Sequence, residues 1–157
     1  MPQSSTYFSI LTAVQSVIQT LNLLDWNGNT VPSLVRKDAE FRQQVEANNP
    51  PFIYVARYKQ ERVEPKVFGD TVWVWYPVAI NTVAAGNRDL NQHLDFYLSW
   101  RQKLRQSFQS PTLSGVTAVF DSNIYPDTLL DAAWIQKNYD VNLLRVEFKA
   151  DETRGLT

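Results

Sequence analysis

The side chains able to do chemistry are sparse in this chain and poorly assembled. His93 is its single histidine and no cysteine is present, so His93 has no second strong ligand or thiol nucleophile to work with. An acid/base role would pair it with Asp95 or another carboxylate; a surface or boundary position is the more economical reading. Asp25, Asn27 and Asn29 copy the first three ligand positions of a calcium loop, but the sixth position is Thr30 instead of glycine and the twelfth is Arg36 instead of glutamate. A polar turn accounts for them. Asp127 and Asp131 stand four apart and fit capping or solvation as readily as cation binding. No serine lies in a G-x-S-x-G elbow, and five glycines form no phosphate-cradling run. The expectation is a protein without catalysis, cofactor or metal.

Aromatic side chains are the stronger signal: 5 Trp, 7 Tyr and 8 Phe make up 13% of the chain. Two of them dominate the stretch "DTVWVWYPVAI", where Trp73 and Trp75 stand two apart in a run free of charge from Val72 to Ile80. In a strand, Val72, Val74 and Tyr76 point to one face and Trp73 and Trp75 to the other, so both faces need cover. Core packing and a subunit interface are equally good uses for the two indoles.

The elements that must carry these residues follow from periodicity. Tyr7, Ile10, Leu11, Val14, Val17, Ile18 and Leu21 share one arc of a helix that Ser5 or Thr6 can cap, and Asn27-Gly28 marks the turn beyond it. Residues 31–36 fit a strand and residues 39–46 a short helix, ended by Pro50 and Pro51. "FIYVARY" then reads as a strand, paired through a charged arm with a second strand from Thr71 to about Asn81. Gly69 at the arm's tip is free to take a positive φ, and Pro77 predicts a bulge or an edge. Residues 86–108 predict the clearest helix, with Asn87 as N-cap and Asp89 in its first turn. Leu90, Leu94, Tyr97, Leu98, Leu104 and Phe108 form its apolar arc, and Phe96 and Trp100 a second flank that either widens the core stripe or faces another subunit. Arg101 lies inside that arc, where it either snorkels or pairs with a carboxylate across an interface. "VTAVFDSNIY" alternates as a strand from Val116. In the last strand Leu144, Val146 and Phe148 face in while Arg145, Glu147 and Lys149 face out.

These elements predict one α+β domain over residues 1–157, with loose ends at about 1–4 and 152–157. A mostly antiparallel sheet of four to five strands carries the N-terminal helix and the long central helix on one face. A length of 157 residues suits a single core, and a net charge of −1 argues against a duplex-binding surface. The amino end lacks a basic signal-peptide region, and no apolar run approaches the roughly 20 residues of a membrane span, so a soluble, intracellular protein is expected.

The succession "PPFIYVARY", "DTVWVWYPVAINTVAAGN", "RDLNQHLDFYLSWRQKLRQSF", "GVTAVFDSNIYP" and "LLRVEFKADETR" resembles the tail-terminator or tail-completion family of long-tailed bacteriophages and prophages. The likeness covers about residues 5–154, with residues 39–49 longer than the layout implies. It implies a virion structural protein assembled in the bacterial cytoplasm: a ring, usually a homohexamer, that caps the tail tube, stops its polymerisation and joins the neck or head-completion protein. Genome DNA would pass through the lumen without sequence-specific binding, and no membrane would be involved. Within that reading Lys66, Phe68, Asp70, Trp73, Trp75, Phe96, Trp100 and Arg101 are the candidate subunit or tail-contact residues. Another neck or head-completion connector, and a monomeric ligand-binding domain with an aromatic cleft near Trp73, stay open as alternatives.

Overall fold

The computed structural model describes residues 5–35, 51–64, 69–85, 91–125 and 140–153. The first helix, α1 (Thr6–Leu21), starts where the Ser5 hydroxyl accepts the Phe8 amide at 3.0 Å and ends where Asn22 turns into the left-handed region at φ 48°. Its apolar arc lies as expected, with Tyr7, Ile10, Leu11, Val14 and Ile18 buried. Strands β1 (Ser33–Val35), β2 (Phe52–Arg57), β3 (Arg62–Glu64) and β4 (Thr71–Ala84) follow, then α2 (Leu94–Ser107), β5 (Val119–Tyr125) and β6 (Asp140–Thr153). Among the described residues no helix is long and apolar enough to cross a membrane.

The α+β class and the N-terminal helix agree with expectation, while the sheet is larger and less uniform. Among the described residues it has six strands, in the order β1-β2-β4-β6-β5 with β3 also paired to β4, and β1 runs parallel to β2. The parallel pair arises because the chain enters β1 straight after the Asp25 turn, from the same end at which it later enters β2: Ser33 meets Ile53 and Val35 meets Val55. Two strands are longer than their patterns predict. β4 continues past Asn81 to Ala84, and β6 continues through Thr153, into the end expected to be loose, because each pairs with the other along its whole length. The proposed helix over 39–46 and the N-cap at Asn87 lie outside the described residues.

Pro77 occupies neither an edge nor a bulge. It sits in the middle of β4, facing Glu147 of β6 across a continuous ladder. Its carbonyl accepts the Tyr58 amide at 3.1 Å, on the side where β2 has ended at Arg57 and β3 has not yet begun at Arg62. In an extended strand the nitrogen and carbonyl of one residue point to the same side, so the missing N–H faces this gap and costs the β4–β6 ladder nothing. Gly69 takes φ 110° as expected.

One face of the sheet carries Ile53, Val55, Val74, Tyr76, Val78, Ile80, Leu144, Val146 and Phe148, which join the buried sides of both helices in one core. On α2 the buried arc is rotated from the predicted one. Tyr97, Trp100, Leu104 and Phe108 are buried, whereas Leu94 and Leu98 are about half exposed. Trp100 is only 2% exposed and belongs to the core, so of the two uses open to its flank it widens the core stripe. The reason is local: its indole N–H donates to the Leu24 carbonyl at 3.0 Å, and its ring meets Tyr97 edge-on at 4.9 Å. A hydrogen-bonded indole outcompetes two leucines for the inward position. β5 also starts later than predicted, at Val119, and a register shift between Val119 and Asp121 interrupts its alternation.

Two substitutions test this framework by urea unfolding. Ser5→Ala removes the α1 cap and should cost about 1 kcal/mol. Trp100→Ala removes a fully packed, hydrogen-bonded ring and should cost about 3–5 kcal/mol, with an unchanged dependence on urea in both cases.

Candidate functional site: the second face of the sheet

The face of the sheet turned away from the helices divides in two. Toward β1 it is apolar, with Phe52, Tyr54, Ala56 and Val83 buried and Leu34 packed on them. Toward the free ends of β3 and β5 it is built of aromatic rings and charges. The register explains the assembly: Trp75 pairs with Lys149 on one side and Arg62 on the other, and Trp73 pairs with Asp151 and Glu64. Paired residues share a face, and diagonal neighbours lie within reach of long side chains.

Lys149 reaches diagonally across this surface. Its ammonium stands 4.0 Å from the Trp73 ring centre, 5.0 Å from that of Trp75 and 5.7 Å from that of Phe120. Its Nζ is also 3.4 Å from Glu64 Oε2, and the lysine side chain is only 12% exposed. The same Glu64 oxygen accepts the Trp75 indole N–H at 2.7 Å. These contacts combine cation–π attraction with a charge-assisted hydrogen bond, so the ammonium leaves water without losing its counter-charge. The indole bond, aided by Lys149, holds the Glu64 carboxyl below its usual pKa. Arg62 lies over Trp75 at 5.6 Å, and farther along β6 Arg145 stacks over Tyr125 at 4.1 Å and Tyr58 at 5.2 Å. Alternating cations of β6, read from sequence as facing water, are instead the cover of the aromatic face.

Phe120 enters this group through the bulge of β5. Val119 pairs with Ala150 and Asp121 with Lys149, so Phe120 is the extra residue, and its ring lies 5.9 Å from that of Trp73. The two rings border a shallow hollow of about 440 Å³, lined also by Thr117, Ala118 and Asp151. Phe120 remains 40% exposed and Asp151 is exposed.

Of the expected contact residues, Trp73 and Trp75 come together here, the first half-buried and the second 7% exposed. Asp70 is exposed just before β4. Lys66 and Phe68 lie outside the described residues. Phe96, Trp100 and Arg101 belong to the other end of the sheet. Phe96 is exposed beside a stack in which Trp26 lies on His93 at 3.6 Å with an angle of 4°, and Arg101 donates to the Leu143 carbonyl at 2.9 Å. That bond places Arg101 within its own chain's sheet margin, as its position in the apolar arc suggests. Asp25 holds its turn closed, its Oδ1 accepting the Asn27 and Asn29 amides at 2.9 Å each. The sequence reading passed over Lys149, Phe120 and Asp151 as site residues. Lys149 was legible only as an outward position, since its partners depend on the β4–β6 register, and a bulge that redirects Phe120 has no signature in a short alternating run.

A second hollow, of about 870 Å³, opens between the start of α1 and the β2–β3 turn. Two of its three tyrosines, Tyr7 and Tyr76, turn their hydroxyls to partners in the protein itself. Tyr7 donates to the Lys59 carbonyl at 2.8 Å and contacts the Pro77 carbonyl, and Tyr76 donates to Glu152. Burial pushes both hydroxyls well above the usual tyrosine range, and the bond to Glu152 adds to the effect at Tyr76. Neither phenol is suited to proton transfer near neutrality.

Because Glu64 ionises more easily in the fold, its contribution is complete above the ordinary carboxylate range and is lost as pH falls through its lowered value. The Trp75 indole proton resonance should therefore shift in acid as Glu64 is protonated, and Glu64→Gln should remove that transition. An indole resonance that titrates identically in the variant would rule out the assignment. No family model matches this chain, and comparison with curated proteins finds no match.

Proposed function

We propose that this protein is a tail terminator of a long-tailed bacteriophage or prophage, a ring-forming structural protein that caps the tail tube, stops its growth and joins the tail to the neck. The observation that carries this reading is the presence of two chemically different sticky surfaces at opposite ends of one sheet. One is aliphatic, the half-exposed Leu94 and Leu98 on one strip of α2; the other is aromatic, the exposed Phe120 beside Trp73. α2 approaches Leu143 through Arg101, and Leu143 pairs with Asn81; the interval from Asn81 to Trp73 along β4 corresponds to about 26 Å at the usual strand rise. Unlike patches on one protomer suit a heterologous contact, and a heterologous contact that closes makes a ring. The succession of elements resembling the terminator family supports the same reading.

A neighbouring neck or head-completion connector would have the same kind of surface and differ in the partner it meets. Light-scattering mass and electron microscopy of the purified protein, alone and mixed with phage tail tubes, separate the two. The expected outcome is a ring of several copies, in solution or seated on tube ends. Rings that ignore tube ends but bind the head portal favour the connector; a chain that is monomeric at every concentration and absent from tube ends overturns the terminator reading.

A further inference from the structure

Asn27-Gly28, at the tip of the turn after α1, is the one Asn-Gly pair in the sequence, and it takes no part in the surfaces described above. Asparagine is among the chemically labile residues, and this neighbour makes it more so. The Cγ carbon of an asparagine and the peptide nitrogen of the next residue close a five-membered ring when they bond. A side chain on that next residue obstructs the approach, and glycine has none.

Both residues are exposed, and the space beside Gly28 is open: no atom lies within 4 Å of where a Cβ would stand. Water therefore reaches the Asn27 amide and any ring formed from it. Hydrogen bonding supplies the restraint. The Gly28 N–H donates to the Asp25 carbonyl at 3.0 Å, and Asp25 Oδ1 accepts the Asn27 and Asn29 amides at 2.9 Å each. The Asp25 N–H in turn donates to the Asn29 carbonyl at 2.8 Å. With its N–H so engaged, the Gly28 nitrogen reacts in those molecules whose turn has opened, and exposed bonds of a short turn open at little cost.

We propose that Asn27 is a site of spontaneous deamidation whose pace is set by the Asp25 turn. The Gly28 nitrogen bonds to Asn27 Cγ, the Cγ–Nδ2 bond breaks, and the proton given up by the Gly28 nitrogen leaves on the departing ammonia. The cyclic imide then takes up one molecule of water. Opening at one carbonyl gives aspartate; opening at the other gives isoaspartate, whose main chain runs through the former side chain. Both steps are acyl substitutions, with no change of oxidation state.

The products disturb a seat that the fold uses. Each sets a new carboxylate two positions from Asp25, and isoaspartate also adds a carbon to a loop that is closed by bonds between Asp25 and both Gly28 and Asn29. Trp26 projects from this loop to lie on His93 at 3.6 Å, at the head of α2, with Trp100 at 6.3 Å. Modification at Asn27 is thus felt where α2 begins.

Incubation of the full-length protein in mildly alkaline buffer, followed by peptide mass mapping and enzymatic methylation of isoaspartate, tests this. The conversion of amide to acid should appear first in the peptide carrying Asn27, and the Trp26 indole proton resonance should shift in step with it. Asn27→Gln should show neither change. Asp25→Ala, checked for folding by circular dichroism, should react at least about fivefold faster than the parent, the factor expected when roughly one hydrogen bond no longer holds the turn closed. Modification that starts at another asparagine, none at Asn27 within the incubation, or a folded Asp25→Ala variant no faster than the parent overturns the proposal and leaves the ring reading untouched.

Discussion

The antiparallel pairing of β4 with β6, residue by residue from Thr71 with Thr153 to Ala84 with Asp140, is the constraint on which the rest of the molecule depends. It is a contact between segments about 70 residues apart in the chain, so loop closure must be offset by what the ladder gains along its length. Fourteen paired positions make that gain large and fix the register tightly, since a slip of one residue would turn Val74, Tyr76, Val78 and Ile80 away from the helices and drive Trp75 and Ala79 toward them. The other elements build outward from these two strands: β2 and β3 pair with β4, β5 pairs with β6, β1 attaches through β2, and both helices pack on the face that β4 and β6 share. Pro77 is tolerated at the centre of this arrangement because the ladder it would damage lies on its other side.

Much of the fold could be read in the sequence because its signals are local. The arc of α1, its serine cap, the inward set Leu144, Val146 and Phe148, and the positive φ of Gly69 each depend on residues within a few positions of one another. What could not be read depends on contacts between distant segments. The arc of α2 rotated because Trp100 finds the Leu24 carbonyl, a partner 76 positions away. The parallel placement of β1 depends on its pairing with β2, Ser33 with Ile53 through Val35 with Val55, about 20 positions away in the chain. Two half-exposed leucines at Leu94 and Leu98 carry the same helical period as core leucines, so the pattern alone assigned them inward.

The candidate site was legible to a similar degree. Trp73 and Trp75 stand out in sequence as two large rings on one strand face, and alternation correctly sends them away from the helices. Their cover was not visible, because charged residues on an alternating strand ordinarily indicate solvent. Here Lys149 and Arg145 lay their stems and cationic heads over aromatic rings, and Glu64 completes the lysine's surroundings. A strand reading R-x-E-x-K on its outer positions and a strand reading W-x-W compose a single surface only once their register is known.

This arrangement divides the work of the two tryptophans, which the run "DTVWVWYPVAI" presents as equivalents. Trp75 is held on three sides, by Glu64 at its indole nitrogen, Lys149 at its ring and Arg62 across the ladder, and is almost wholly buried within one chain. Trp73 shares Lys149 but lies farther toward the strand end, where the β5 bulge brings Phe120 to it and leaves that ring exposed. A broad apolar partner laid across the whole face would have to displace a matched ion pair and the cation–π contacts around it, leaving charges desolvated and unpaired. The open side of Phe120, 40% exposed, can be met with Lys149 left in place. The lysine that closes the middle of the face therefore confines contact with another molecule to its rim, and a narrow rim contact is selective about the charge and shape of the side chain it accepts.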